Sequence, residues 1–450
     1  MNAFDWKTRC SFLIIVFFLA LQVDAGPAIQ VGVGKTEVTP TEPMRLYGYS
    51  SRTDPFVGIY DSLFCRAVVF DDGATQAVIV SLDSGTIPLG NWPQKIRAHL
   101  AEKYGIDYVF LTATHSHAAP HLGTHDKPVP WNEAIAEKIY ESVQLALTKM
   151  QAAQFKVGIG EIDITYDRRV VGDDGHVTML WQNHERKPTK PVNQRIHVLH
   201  IHNANDESIA TLVHYACHPV ISGSKNNRVS AEIPGSICDY VNKTIGGECV
   251  FLQGACGDVN PYLAGFLQED TSAYEALVKE GEKVGREVVD IVHRASPVEQ
   301  YNWTIQYRQK MVSFGLRHPA SDKRMKDLLE GFFSEEGLEF FLKSDQTFEA
   351  DVSLLMLGKA IAWAGFPGEF FDDFQVDLIK RSPVANTFFV GYCNGMYSYF
   401  PTIKAAVEGG YGASWGLLAE MGTGERMVDK AVIGLYELLA NKDKGASYGK

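Results

Sequence analysis

Four times in this chain a short apolar or aromatic run stops on histidine, or on polar residues set beside glycine or proline. Tyr108-Val109-Phe110-Leu111 runs into Thr112-Ala113-Thr114-His115-Ser116-His117-Ala118-Ala119-Pro120-His121. Ala210 to Cys217 delivers His218-Pro219. The stretch Val352 to Trp363, read as a hairpin turning at Gly358-Lys359, is followed by Pro367-Gly368-Glu369. Thr387 to Val390 leads into Gly391-Tyr392-Cys393-Asn394 and on to Tyr399. Short apolar runs bounded in this way read as buried strands. Strand ends are where α/β folds place chemistry. Periodicity alone does not tie the four exits together.

The exit at His115 carries the strongest chemical signal. Side chains two apart on an extended chain share a face, so His115 and His117 can reach one cavity. Imidazole is the commonest protein ligand for zinc. Two histidines and a carboxylate make a recurring catalytic zinc shell that leaves one position open for water. His197, His200 and His202 lie on a strand expected over 194–203 and read as strand-face or surface histidines.

Between these exits, strand and helix signals alternate. A first strand is expected over 29–39, and 64–70 and 76–82 form a pair joined by Asp71-Asp72-Gly73. Helices are expected over 94–103, 131–152, 231–243, 273–294, 321–343 and 425–439, with another starting at Pro367-Gly368-Glu369. In the second, Ile135, Ile139, Val143, Leu147 and Met150 make one apolar stripe. A strand is expected over 154–169. The class is α/β, with mixed sheets flanked by helices in one catalytic domain over 26–450.

The first 25 residues read as a secretory signal. Lys7 and Arg9 precede an apolar run from Phe12 to Leu21, and Val23-Asp24-Ala25 places cleavage after Ala25. The run is too short to span a bilayer comfortably, and no later stretch looks transmembrane. The mature chain is therefore expected to be secreted or periplasmic. A formal charge of -12 argues against nucleic acid held through phosphate contacts. Cys10 leaves with the signal. The other six cysteines show no CxxC spacing, so bridges and buried thiols both remain open.

A known family joins the exits. The chain resembles the catalytic domain of the neutral/alkaline non-lysosomal ceramidases, which are zinc amidohydrolases. The matching segments are Ala113-Thr114-His115-Ser116-His117, Cys217-His218-Pro219-Val220, Gly257-Asp258-Val259-Asn260-Pro261, Pro367-Gly368-Glu369-Phe370 and Asn394 through Tyr399. The resemblance implies His115, His218, Glu369 and Tyr399 as zinc ligands. It implies that His117 orients or protonates near the scissile amide. Tyr411 is implied to stabilise an oxyanion, and Arg168 to bind a polar group of the substrate. The implied reaction is cleavage of an N-acyl bond by water that zinc activates, on a small, sphingolipid-like or other N-acyl substrate. Two departures stand out. Asn260 occupies the place of a family serine, which closes a serine acyl-enzyme route but leaves an amide that can donate to an oxyanion. The family's C-terminal β-sandwich has no counterpart in this sequence. Two other readings are a zinc-retaining binding protein that lost catalysis with its serine, and a hydrolase of glycan-derived substrates.

Overall fold

The computed structural model describes residues 29–122, 129–265, 271–300, 302–319, 322–332, 347–414 and 418–440. The signal-like segment lies outside them. The apolar runs assemble into three main sheets, and each sheet ends on a pair of parallel strands. In the first sheet the order is Tyr108–Ala113, Gln76–Leu82, Phe64–Asp71, Gln30–Glu37, Gln151–Ala152. In the second it is Glu248–Gln253, Ser208–Tyr215, Arg195–His202, Gln154–Glu161, Ser296–Pro297. The third runs Ile305–Phe314, Phe348–Leu357, Ile361–Gly365, Asn386–Val390.

The parallel pairs have one cause. Antiparallel neighbours need only a tight turn, as at Asp71–Gln76, where Asp71 and Asp72 carboxylates accept from the backbone of Gly73, Ala74 and Thr75. Parallel neighbours need a crossover, here a helix each time. Asn91–Tyr104 joins the first pair, Glu232–Ile245 the second and Asp372–Arg381 the third. Each βαβ unit sends two strand C-termini the same way.

The sheets share a core. Val68, Phe70, Ile79 and Phe110 of the first sheet pack with Leu199, Leu212 and Leu252 of the second and Leu355, Trp363 and Phe388 of the third. The Trp363 ring lies 5.8 Å from Phe70 and 5.7 Å from Phe388. Burial of both faces explains why Tyr108–Ala113 reads as a continuous apolar run rather than an alternation. Helix Pro130–Leu147 covers the outer face of the first sheet so closely that a Cβ on Gly34 would sit 2.0 Å from the Ser142 carbonyl.

Several local expectations are corrected. The 131–152 helix stops at Leu147, because Gln151 and Ala152 pair with Val31 and Gln30; Met150 therefore lies beyond the helical stripe. The 154–169 stretch breaks into three: after Gln154–Glu161, Thr165–Asp167 leaves the sheet to pair with Val259–Pro261, and Arg169 opens a strand that pairs with Val177–Met179. Pro367-Gly368-Glu369 does not open a helix: Glu369–Phe370 pairs in parallel with Tyr399–Phe400, and the helix starts at Asp372. His197, His200 and His202 are strand residues but not surface ones, at 5, 4 and 5% exposure. Of 321–343, Lys323–Phe332 is helical and 333–346 lies outside the described residues. Cys65, Cys217, Cys238, Cys249, Cys256 and Cys393 are buried and unbridged. Among the described residues no helix is long and apolar enough to cross a membrane.

Candidate active site

The C-terminal ends of the three parallel pairs meet, and main-chain hydrogen bonds join them. Asn394 N–H donates to Leu111 O at 2.7 Å, Gly391 N–H to Gln253 O at 2.9 Å, and Gly257 N–H to Phe370 O at 2.8 Å. The Gln253 side chain completes the junction. Its amide donates to the carbonyls of Thr114 at 3.1 Å and Cys217 at 3.0 Å, and its oxygen accepts from Cys217 N–H at 3.2 Å. Those two backbone sites immediately precede His115 and His218.

Three imidazoles converge on one point. His115 Nε2 lies 3.2 Å from His218 Nε2 and 3.2 Å from His117 Nε2, and the remaining edge is 3.1 Å. His115 and His117 do meet, but not as alternate residues of a strand. The strand ends at Ala113, and His115 has φ +68°, a left-handed conformation that the Cβ of a non-glycine residue makes uncommon. Its ring stacks on Tyr392 at 4.0 Å, and its Nδ1 donates to Gly85 O at 2.6 Å. His218 Nδ1 donates to Cys256 O at 3.1 Å. The carbonyl acceptors leave both Nε2 lone pairs facing inward, the usual second contact of a metal-binding histidine. His117 lacks that support, since its buried Nδ1 has no hydrogen-bond partner. Burial first, then neighbouring positive charge, pushes the pKa of His117 and of His218 well below the usual histidine range, so both are neutral near pH 7.

Glu369 and Tyr399 come from distant segments but face each other in the parallel pairing. Glu369 Oε2 lies 3.5 Å from His115 Nε2 and 4.0 Å from His218 Nε2, buried and without a hydrogen bond. Three ring nitrogens so close cannot all be satisfied by one another, and an orphaned carboxylate oxygen sits beside them. Metal–nitrogen bonds of about 2.0–2.1 Å in a tetrahedron imply edges of about 3.3–3.4 Å. The His115/His117/His218 group can hold a metal ion, and the Glu369 carboxylate lies beside it as a further oxygen donor.

One side of this centre is polar and aromatic. Pairing of Thr165–Asp167 with Val259–Pro261 sets Arg168 beside Asn260. Arg168 Nη2 donates to Gly257 O at 2.5 Å and to Tyr399 Oη at 3.3 Å, and Nη1 lies 3.5 Å from Asn260 Oδ1. Burial lowers its pKa, but Tyr399 and Glu369 outweigh that and hold the guanidinium charged. Asn260 Nδ2 donates to Trp181 O at 3.3 Å, which occupies one of its two amide hydrogens. Tyr411 is 39% exposed and packs edge-on against Tyr399 and Trp181, each at 5.2 Å. Burial, then Glu369, raises the pKa of both Tyr399 and Tyr411.

All eight residues singled out in the sequence thus gather here. Sequence reading missed Tyr47, Arg52, Trp181, Gln253 and Tyr392. Arg52 is buried and donates to the carbonyls of Tyr47, His117 and Asn226, clamping the loop beside the histidines. Its flanking Tyr-Gly-Tyr run looked like an ordinary loop, and nothing in its spacing points to residues sixty or more positions away.

Fold and site together define an α/β protein with a buried histidine-rich candidate metal centre where strand ends meet. Residues 29–280 match the family described as neutral/alkaline non-lysosomal ceramidase, N-terminal, and the chain belongs to that family. It is similar to the neutral ceramidase of Drosophila pseudoobscura pseudoobscura, 29% identical over 118 residues, covering 25% of this chain and 17% of the relative. Against that of Drosophila melanogaster it is 30% identical over 115 residues, covering 24% and 16%. These matches span about a sixth of the relatives' length. The crystal structure of neutral ceramidase from Pseudomonas aeruginosa superposes with a TM-score of 0.69 at 19% identity, over 93% of this chain and 76% of that one. A ceramidase complexed with C2 gives 0.70 at 18% identity, over 93% and 77%. Likeness at this identity establishes a common fold.

Proposed function

We propose that this chain is an exported zinc-dependent amidohydrolase that cleaves an N-acyl bond, on ceramide or on another N-acyl compound. The observation that carries the reading is the convergence of three Nε2 atoms, within 3.2 Å of one another, beside the orphaned Glu369 Oε2. The family relationship supports amide cleavage. His115, His218, Glu369 and Tyr399 would hold zinc, with His115 and His218 set apart by their carbonyl-anchored Nδ1 atoms. Zinc, when bound, would polarise the acyl carbonyl and acidify water.

The chain's own groups then divide the work. His117 is neutral and takes a proton at Nε2 as water oxygen bonds to the acyl carbon. It returns that proton to the nitrogen as the C–N bond breaks, leaving a carboxylic acid and an amine. Charge that gathers on the acyl oxygen is met by Arg168, by the amide of Asn260 and by Tyr411 Oη. Asn260 cannot act as nucleophile, so the route contains no acyl-enzyme. Purified mature protein should contain about one zinc, and a His115→Ala/His218→Ala variant should lose it. Screening against N-acyl sphingoid, N-acyl amino acid and N-acetyl sugar libraries tests the reaction. Full metal content in the double variant, or no turnover of any N-acyl substrate by zinc-loaded protein, refutes the reading.

A further inference from the structure

Tyr47 lies in a loop that no sequence motif marks, yet it faces the metal centre. Its ring centroid is 5.7 Å from that of His115, 5.5 Å from His117 and 5.8 Å from His121. The first two contacts are edge-on, so Tyr47 walls the imidazole cluster rather than stacking away from it. Its backbone is pinned on both sides: Tyr47 N–H donates to Ala119 O at 2.9 Å, and Tyr47 O accepts from the buried Arg52 guanidinium. Space for the ring depends on Gly85, where an added Cβ would lie 2.2 Å from Tyr47 Cδ1. The same Gly85 carbonyl fixes His115, so ring and metal-facing imidazole share one support. Among the described residues the Tyr47 hydroxyl makes no hydrogen bond, while the ring itself is only partly exposed. A phenol held this firmly with a free hydroxyl is a donor waiting for an acceptor.

We propose that Tyr47 Oη is a further substrate-facing donor, hydrogen-bonding the acyl carbonyl oxygen of the bound substrate and the oxyanion that forms from it. The assignment rests on the amide-hydrolase reading above. Tyr47 and Tyr411 then present two phenols to one oxygen, from segments at opposite ends of the chain.

The test is Tyr47→Phe, which keeps the ring contacts and removes only the hydroxyl. Calorimetric titration of zinc-loaded protein with acetohydroxamate, a small carbonyl ligand, should show about 3- to 10-fold weaker binding in the variant, the range for one lost hydrogen bond. With a turned-over N-acyl substrate, kcat should fall about 100-fold while KM stays within about threefold. Zinc content and the thermal midpoint should match wild type. Equal acetohydroxamate affinity in the two proteins, absence of binding to wild type, or loss of zinc from the variant overturns the proposal. If wild type binds acetohydroxamate but hydrolyses nothing, the hydrolase reading fails while the affinity comparison still decides whether Tyr47 donates.

Discussion

Replacing Gln253 by leucine tests whether the junction of the three sheets also builds the candidate metal centre. Leucine keeps most of the volume and removes all polar atoms. The structure puts three hydrogen bonds at stake, two donated to Thr114 O and Cys217 O and one accepted from Cys217 N–H. Gln253 and Cys217 are fully buried, so no water replaces the lost partners. Each backbone group left unpaired costs about 1–3 kcal/mol. Three such losses, taken at the low end because neighbouring bonds are not additive, give about 3 kcal/mol. Unfolding of the metal-free protein in urea, at fixed pH, reads this directly. The second consequence is local. His115 and His218 each follow a backbone group that Gln253 holds, and loss of an outer contact typically costs a metal site about 10- to 100-fold in affinity. Competition with a chelator measures it. A Gln253→Leu protein within about 0.5 kcal/mol of wild-type stability, the range of ordinary surface changes, and with unaltered metal affinity, would refute the reasoning. Loss of stability alone would leave Gln253 a core residue with no part in holding the ligands.

Three further outcomes are expected. His117→Ala should keep its metal and lose at least about 100-fold in activity; loss of metal in elemental analysis would instead make His117 a ligand, despite its unsupported Nδ1. Asn260→Ala should keep metal and lose about 100- to 1000-fold in turnover, and intact mass of quenched reactions should show no acyl adduct; a trapped adduct would send the search to another nucleophile, with Cys256 the nearest in sequence. The buried Asp372 carboxyl is pushed up to about 8 by burial and then by Asp258. A carboxyl raised in the folded state binds protons more tightly there than in the unfolded chain, so its contribution to stability falls as pH rises from about 4 to 8. Asp372→Asn should flatten that decline, measured by denaturant unfolding at pH 5 and pH 8, and an unchanged slope would count against the shift.

The strand exits were legible because burial on both faces leaves a local mark. Tyr108–Ala113, Ser208–Tyr215 and Asn386–Val390 each read as apolar runs stopping at polar residues, and each delivers part of the site. The hairpin at Asp71-Asp72-Gly73 was equally local, since its turn is held by side chains two and three residues away. The errors have the opposite character. Helix periodicity through Met150 gave way to an edge pairing with Gln30 and Val31, more than a hundred residues back in the chain. The helical signal at Pro367-Gly368-Glu369 lost to pairing with Ser398 and Tyr399, where Glu369 N–H donates to Ser398 O at 2.9 Å.

What this sequence determines by itself is therefore a set of elements and the side chains at their ends. Two-residue and 3.6-residue periods, turn chemistry and charge act over a few positions, so they survive in the one-dimensional record. Motif order also carries the family, and with it His115, His218, Glu369 and Tyr399 as candidates. Which face of the centre is polar, that His117 shares the convergence of the other two rings yet lacks their carbonyl support, and that Tyr47, Arg52 and Gln253 belong to the site were decided only in three dimensions. Those facts depend on contacts between residues such as Gln253 and Thr114, 139 positions apart. No periodicity spans that distance; only the packing of three sheets around Trp363 and its neighbours brings their strand ends to one place.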